Sequence, residues 1–144
     1  MWNGNGLMTW AQCCAIMEPY NYIRKIIGFD TFEGLPGFCD KDKAGNRGHQ
    51  LNVGQFKMDN YKELMQAIEL YDQNRPIGHI QKVELVKGDA TKIIPQYVKQ
   101  NPHLIVSLLN LDFDLYEPTK VALEYLVPRM PKGAIIIFDE LSQA

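Results

Sequence analysis

Leu104-Ile105-Val106-Ser107-Leu108-Leu109-Asn110-Leu111-Asp112 is an almost unbroken apolar run closed by a carboxylate, with Asp114 two residues on. A run without polar alternation predicts a strand buried on both faces, as in parallel sheets covered by helices. Three other segments share the design. Arg24-Lys25-Ile26-Ile27-Gly28-Phe29 runs into Asp30, and Lys82-Val83-Glu84-Leu85-Val86-Lys87-Gly88 runs into Asp89. Ala134-Ile135-Ile136-Ile137-Phe138 runs into Asp139 and Glu140. If these strands are parallel neighbours, their carboxyl ends share one edge, where open α/β sheets bind ligands. Two carboxylates about 4 Å apart repel by roughly 4 kcal/mol at an effective dielectric of 20. Such a cluster wants hydroxyl donors or cations.

Helical patterns separate the strands. Residues 7–17 are apolar almost all round, which predicts a buried helix ending before Pro19. The first strand is expected over 23–30. The glycine-rich stretch 31–58 is too long for a plain connection and reads as a lid or binding loop. Asp59 or Asn60 can cap a helix whose Tyr61, Leu64, Met65, Ile68 and Tyr71 share one face. Thr91 can cap a short helix through Val98, with Pro95 in its first turn. Pro118 suits the first position of a helix bearing Val121, Ala122, Tyr125 and Leu126. The alternation implies right-handed crossovers and an α/β fold: a Rossmann-like, doubly wound, mostly parallel sheet with helices on both faces.

The 144 residues fit a single domain, 1–144, and 46% hydrophobic residues can supply its core. A net charge of −2 with scattered Lys and Arg gives no sign of nucleic acid or an anionic membrane. No apolar segment nears the ~20 residues that span a bilayer, and no secretory signal is visible. A cytoplasmic location follows by default. Cys13 and Cys14 read as helix-packing residues and Cys39 as a loop thiol. His49, His79 and His103 lack zinc-ligand spacing, although His49 lies in the glycine-rich loop.

Gly4-Asn5-Gly6 precedes the first helix, so the backbone there can approach a ligand at a helix N-terminus. A dinucleotide fingerprint wants a third glycine at position 9, where Thr9 stands, which counts against a nicotinamide-dependent oxidoreductase. Asp30 follows Gly4 by 26 residues at the end of the next strand, placed to bond a ribose diol. Asp89 can accept from an adenine amino group or cap the helix after it. Asp112, Asp114, Asp139 and Glu140 offer the carboxylate oxygens that Mg²⁺ prefers. Asp114 can equally cap its own following helix.

Three motifs in order, Gly28-Phe29-Asp30-Thr31-Phe32-Glu33-Gly34-Leu35-Pro36, then Leu111-Asp112-Phe113-Asp114-Leu115-Tyr116-Glu117-Pro118-Thr119, then Ile137-Phe138-Asp139-Glu140, resemble the macrocin-type sugar O-methyltransferases. That resemblance implies a class I enzyme dependent on S-adenosylmethionine and Mg²⁺, methylating a hydroxyl of a deoxysugar or glycosylated natural product. It implies Gly4 and Gly6 beside the methionine part of the cofactor, and Asp30 with Thr31 at the ribose. Asp89 with Ala90 would lie on the adenine side, and Asp112, Asp139 and Glu140 would form the metal set. The family more often has Asp where Glu140 stands. Asp112 or Asp114 are the candidates for receiving the hydroxyl proton. The loop from Glu33 to Met58 resembles a segment that closes over cofactor and sugar.

The resemblance also implies a central strand just before the glycine motif and further strands after Asp139, so the chain reads as a partial domain. A missing central strand leaves two neighbours with unpaired backbone groups. Three outcomes follow: the flanking strands close up, another copy fills the gap, or the fold is marginal. Self-association, a homo-oligomer in some form, is expected. The rival function is a non-catalytic nucleotide-binding or self-associating fragment.

Overall fold

The computed structural model describes residues 2–42 and 52–139. In chain order these form α1 (Asn5–Met17), β1 (Ile26–Asp30), α2 (Tyr61–Gln73), β2 (Val83–Lys87), α3 (Ala90–Gln100), β3 (Leu108–Leu111), α4 (Tyr116–Leu126) and β4 (Ile135–Phe138). Short 3₁₀ turns, Trp2–Gly4 and Val127–Arg129, precede α1 and follow α4. No described helix is long and apolar enough to cross a membrane.

All pairing is parallel. β1 lies beside β2 in a register running from Ile26↔Val83 to Asp30↔Lys87. β3 lies beside β4 from Leu108↔Ile135 to Leu111↔Phe138, and Asp139 N–H continues that ladder to Leu111 O at 3.1 Å. Helices cover both faces of the β1–β2 pair. Ile26, Val83 and Leu85 pack with Leu7, Ala11, Leu64 and Ile68 of α1 and α2. On the opposite face Phe29 meets the Tyr97 ring of α3 edge-on at 5.4 Å, as side-chain alternation along a strand requires. A second cluster, built on Ile94, Val98, Leu109, Leu111, Ala122 and Leu126, seals α3 and α4 against β3. Fully burying a side chain such as Ile94 contributes about 1.5–3 kcal/mol.

The sheet is divided. β1–β2 and β3–β4 are separate two-stranded units, and residues of both β1 and β3 line a cavity of about 1380 Å³ between them. The flanking strands therefore have not closed up. Arg24 reaches across at the amino end, donating from Nη1 to Ser107 Oγ at 3.0 Å. Helix α1 runs antiparallel to β1. Its start, Leu7, packs with Phe32 beyond the end of β1, while Glu18, just past its end, pairs with Arg24 at 2.7 Å before β1 begins.

Several local expectations are corrected. α1 is not a buried helix: only Leu7 and Ala11 are buried, and Cys13 is exposed. Leu7, Trp10, Cys13, Cys14 and Met17 border the cavity instead, so part of the apolar surface faces open space rather than a packed neighbour. β1 and β3 start later than expected, at Ile26 and Leu108, because each strand begins where its ladder begins. α3 starts at Ala90 with Asp89 as its cap, which puts Pro95 inside the helix, beyond the first turn. Pro118 is the third residue of α4, still among the N–H positions that have no helical partner. Asn60 does stand at the N-cap of α2, but its side chain makes no capping bond and reaches Asn3 at 3.4 Å.

Candidate functional site at the carboxyl edge

The cavity is bordered by Gly6, Asp30, Thr31, Asp89, Ala90, Asp112, Asp114 and Asp139, so most of the sequence-predicted residues meet around one space. Gly4 stands apart. It is buried, takes φ +72°, and a Cβ there would lie 2.4 Å from Leu64 Cδ1. Its lack of a side chain serves the left-handed turn into α1 and the close packing of α2. Gly6 differs: a Cβ would meet nothing within 4 Å. That is an open cradle at the start of α1. Glu140 and His49 lie outside the described residues.

Asp30 closes a turn as well as facing the cavity. Phe32, at φ +57°, donates its N–H to Asp30 Oδ1 at 2.7 Å. Thr31 Oγ1 donates to Gly34 O at 2.8 Å and accepts from Glu33 N–H at 3.1 Å. These short-range bonds fix the corner that follows β1. Asp89 is the cap of α3: its Oδ1 accepts from Thr91 N–H at 3.0 Å and from Thr91 Oγ1 at 2.7 Å, and Lys92 Nζ lies 3.5 Å from Oδ2. Burial of Asp89 opposes ionisation, but the Thr91 bonds and Lys92 outweigh it, so its pKa is lowered.

Asp112 behaves in the opposite way. Its pKa is raised, first by burial, then by repulsion from Asp139 and Asp114, with Asp30 contributing less. Carboxylates from the ends of β1, β3 and β4 thus feel one another. Asp112 and Asp139 occupy equivalent positions, each one residue beyond the Leu111↔Phe138 pair. Among the described residues no three His, Cys, Asp or Glu side chains converge tightly enough to hold a metal ion.

Sequence reasoning did not anticipate the Tyr97–Glu84 pair on the cavity wall. Tyr97 OH donates to Glu84 Oε2 at 3.1 Å; burial and the Glu84 charge push the phenol up to about 12. The signal was Glu84, an acid between the apolar Val83 and Leu85 of β2. Asp42, far ahead of α4 in sequence, also reaches that helix, and nothing in the local pattern marks it.

A family model described as macrocin-O-methyltransferase (TylF) matches residues 2–144. The crystal structure of CalS11, calicheamicin methyltransferase, is similar at TM-score 0.89 and 37% identity, covering 99% of this chain and 55% of that one. The apo structure of CalS11, a TDP-rhamnose 3'-O-methyltransferase of calicheamicin biosynthesis, is similar at TM-score 0.77 and 34% identity, covering 98% and 53%. The chain therefore spans about half the length of the solved structures it matches. No curated protein sequence matches it.

Proposed function

The chain belongs to the macrocin O-methyltransferase family, and from that premise we propose that it is the cofactor-binding part of an S-adenosylmethionine-dependent, Mg²⁺-assisted sugar O-methyltransferase. The observation that carries the reading is that Gly6, Asp30, Asp89, Asp112 and Asp139 all border one cavity, the acids from the carboxyl ends of the parallel strands, although the cavity also runs back to Arg24 and Ser107 at the amino ends. The fit of the donor rests on this chain's own residues. Gly6 leaves room beside the α1 N-terminus, and acids line the wall where a positively charged sulfonium would be favoured. S-adenosylmethionine, when bound, supplies a methyl group open to in-line displacement.

Within that reading Gly6 lets the backbone approach the amino-acid end, with Gly4 shaping the turn behind it. Asp30, with Thr31 holding the corner, orients the ribose hydroxyls. Asp89 and Ala90 bound the purine side. Asp112 and Asp139, together with Glu140, would hold Mg²⁺. Burial, and then repulsion from Asp139 and Asp114, raises the Asp112 pKa, and a bound cation would relieve that repulsion. Mg²⁺ would lower the pKa of a bound hydroxyl. Asp112 or Asp114 would receive the hydroxyl proton, and fixing the hydroxyl against the methyl carbon supplies the orientation part of the rate.

The acceptor is a small sugar or glycoside, with no role for membrane or nucleic acid. In the enzyme that carries this domain whole, EDTA suppresses turnover and Asp139→Ala abolishes it while the fold survives. Turnover indifferent to both would remove the metal.

The gap between β1 and β3 favours a second reading for residues 1–144 alone: a non-catalytic fragment that self-associates through its open edges. Calorimetric titration with S-adenosylhomocysteine and sedimentation separate the two. A monomer that binds the cofactor product contradicts the second reading.

A further inference from the structure

The first turn of α4 starts with an unmet need. Its N-cap is Leu115, whose side chain carries no acceptor for the opening N–H groups. Tyr116 N–H donates instead to Asp42 Oδ1 at 2.7 Å, across a sequence separation of 74 residues. The other carboxylate oxygen accepts from Cys39 N–H at 2.6 Å, and Asp42 N–H returns a bond to Cys39 O at 3.1 Å. The carboxylate is thus held in a preformed turn before it meets the helix. Lys41 Nζ lies 3.9 Å from the centroid of the Tyr116 ring, a separate attraction on the same residue. The positive end of the α4 dipole adds to the Asp42 contact.

The tether bounds a space. Phe38, Cys39 and Asp42 line a cleft of about 310 Å³ together with Asp89, Thr91 and Leu115. Asp89 and Leu115 border both this cleft and the main cavity. Whatever occupies the Asp89 end of the cavity therefore has residues 36–42 as its outer neighbour.

We propose that residues 36–42 are a strap tied to α4 by Asp42, and that Asp42 is a positioning residue closing the Asp89 end of the cavity. The inference rests on the proposed function in one respect: the guest behind the strap is the purine end of the cofactor. The tether itself is argued from geometry alone.

Amide hydrogen exchange reads the tether without any ligand. Asp42→Ala speeds exchange at Tyr116 about fivefold, the worth of an ordinary capping bond, and leaves Ile94 in the core unchanged. Lys41→Met gives a smaller acceleration, and Asp42→Asn, which retains an acceptor oxygen, recovers part of the protection. Closure is read by S-adenosylhomocysteine, which leaves Asp42→Ala severalfold faster than it leaves the unaltered protein. Unchanged exchange at Tyr116 overturns the tether. Acceleration that extends to Ile94 shows a general structural role and overturns positioning, as does faster Tyr116 exchange with an unchanged ligand off-rate. If the unaltered protein binds no S-adenosylhomocysteine, the proposed function and the closure fall together, while the exchange result still decides the tether.

Discussion

In the β3–β4 half, α3 and α4 close over Leu109 and Leu111 and leave a continuous apolar cluster; in the β1–β2 half, α1 turns Trp10, Cys14 and Met17 toward a cavity. Both halves use the same parallel pairing. The β1–β2 half depends more on polar ties. Tyr71 OH donates to Ala11 O at 2.6 Å, the buried Lys82 donates from Nζ to Asn21 O at 2.7 Å, and the buried Asp72 pairs with Arg75 at 2.7 Å. The β3–β4 half depends on packing. The difference teaches where apolar surface is left open among the described residues: α1 borders the cavity along one side, and in the other half Ile135 and Phe138 of β4 are exposed while α3 and α4 keep their own cluster buried. α3 links them, since it packs in the second cluster while its Tyr97 meets Phe29 of β1.

The largest expected effect comes from removing that link. Ile94 is fully buried in α3, and Ile94→Ala costs about 2–5 kcal/mol through lost burial and the cavity left behind. Because α3 touches both halves, urea unfolding followed at Trp10 and by far-UV dichroism shifts together. If only one signal moves, the halves are independent and the comparison as drawn is broken.

Asp89→Ala acts at one helix start and is smaller, about 1 kcal/mol at neutral pH, the worth of an N-cap. The pH dependence sharpens it. The folded pKa of Asp89 is lowered, so its contribution is complete above the unfolded value near 3.8 and is lost as pH falls through the folded value. Stability curves of the unaltered protein and Asp89→Ala converge at the acid end. A gap that persists undiminished there means Asp89 is not acting as a charge.

Asp112→Asn has the smallest effect and the opposite sign. The folded pKa of Asp112 is raised, by burial and then by Asp139 and Asp114, so its ionised form is a burden on the fold that lifts as pH falls through that value. In metal-free buffer at pH 7, Asp112→Asn raises the melting temperature slightly, and the gain fades once Asp112 is protonated. A loss of stability at pH 7 shows that the carboxylates are not crowded.

The carboxylate ends of the apolar runs were legible, because the first acid after each run marks the strand's edge; burial on both faces was not met, since Ile105 lies exposed before β3 and Ile135 and Phe138 are exposed on β4. Asp30, Asp89, Asp112 and Asp139 accordingly meet at one cavity. The environment of α1 was less legible: periodicity reports that a surface is apolar but not whether a partner covers it. Gly4 and Gly6 look alike in sequence, and the left-handed φ of Gly4 with Leu64 packed against it tells them apart. Pro95 within α3 shows the usual slippage of helix boundaries, since of the two caps the sequence offered, Asp89 and Thr91, the helix uses Asp89. Asp42 could not be found from local pattern, because its partner lies on the other side of the chain and the need it meets is created by Leu115.

The central claim is that the carboxyl edge of this divided sheet holds the nucleoside and amino-acid ends of a methyl donor in one cavity. Backbone amide shifts during titration with S-adenosylhomocysteine test it most directly. The account predicts saturable shifts at Gly6, Asp30 and Asp89, with amides at the far end of β1, near Ile26, unmoved. Saturation that leaves those three amides in place, or shifts confined to another surface, would contradict it.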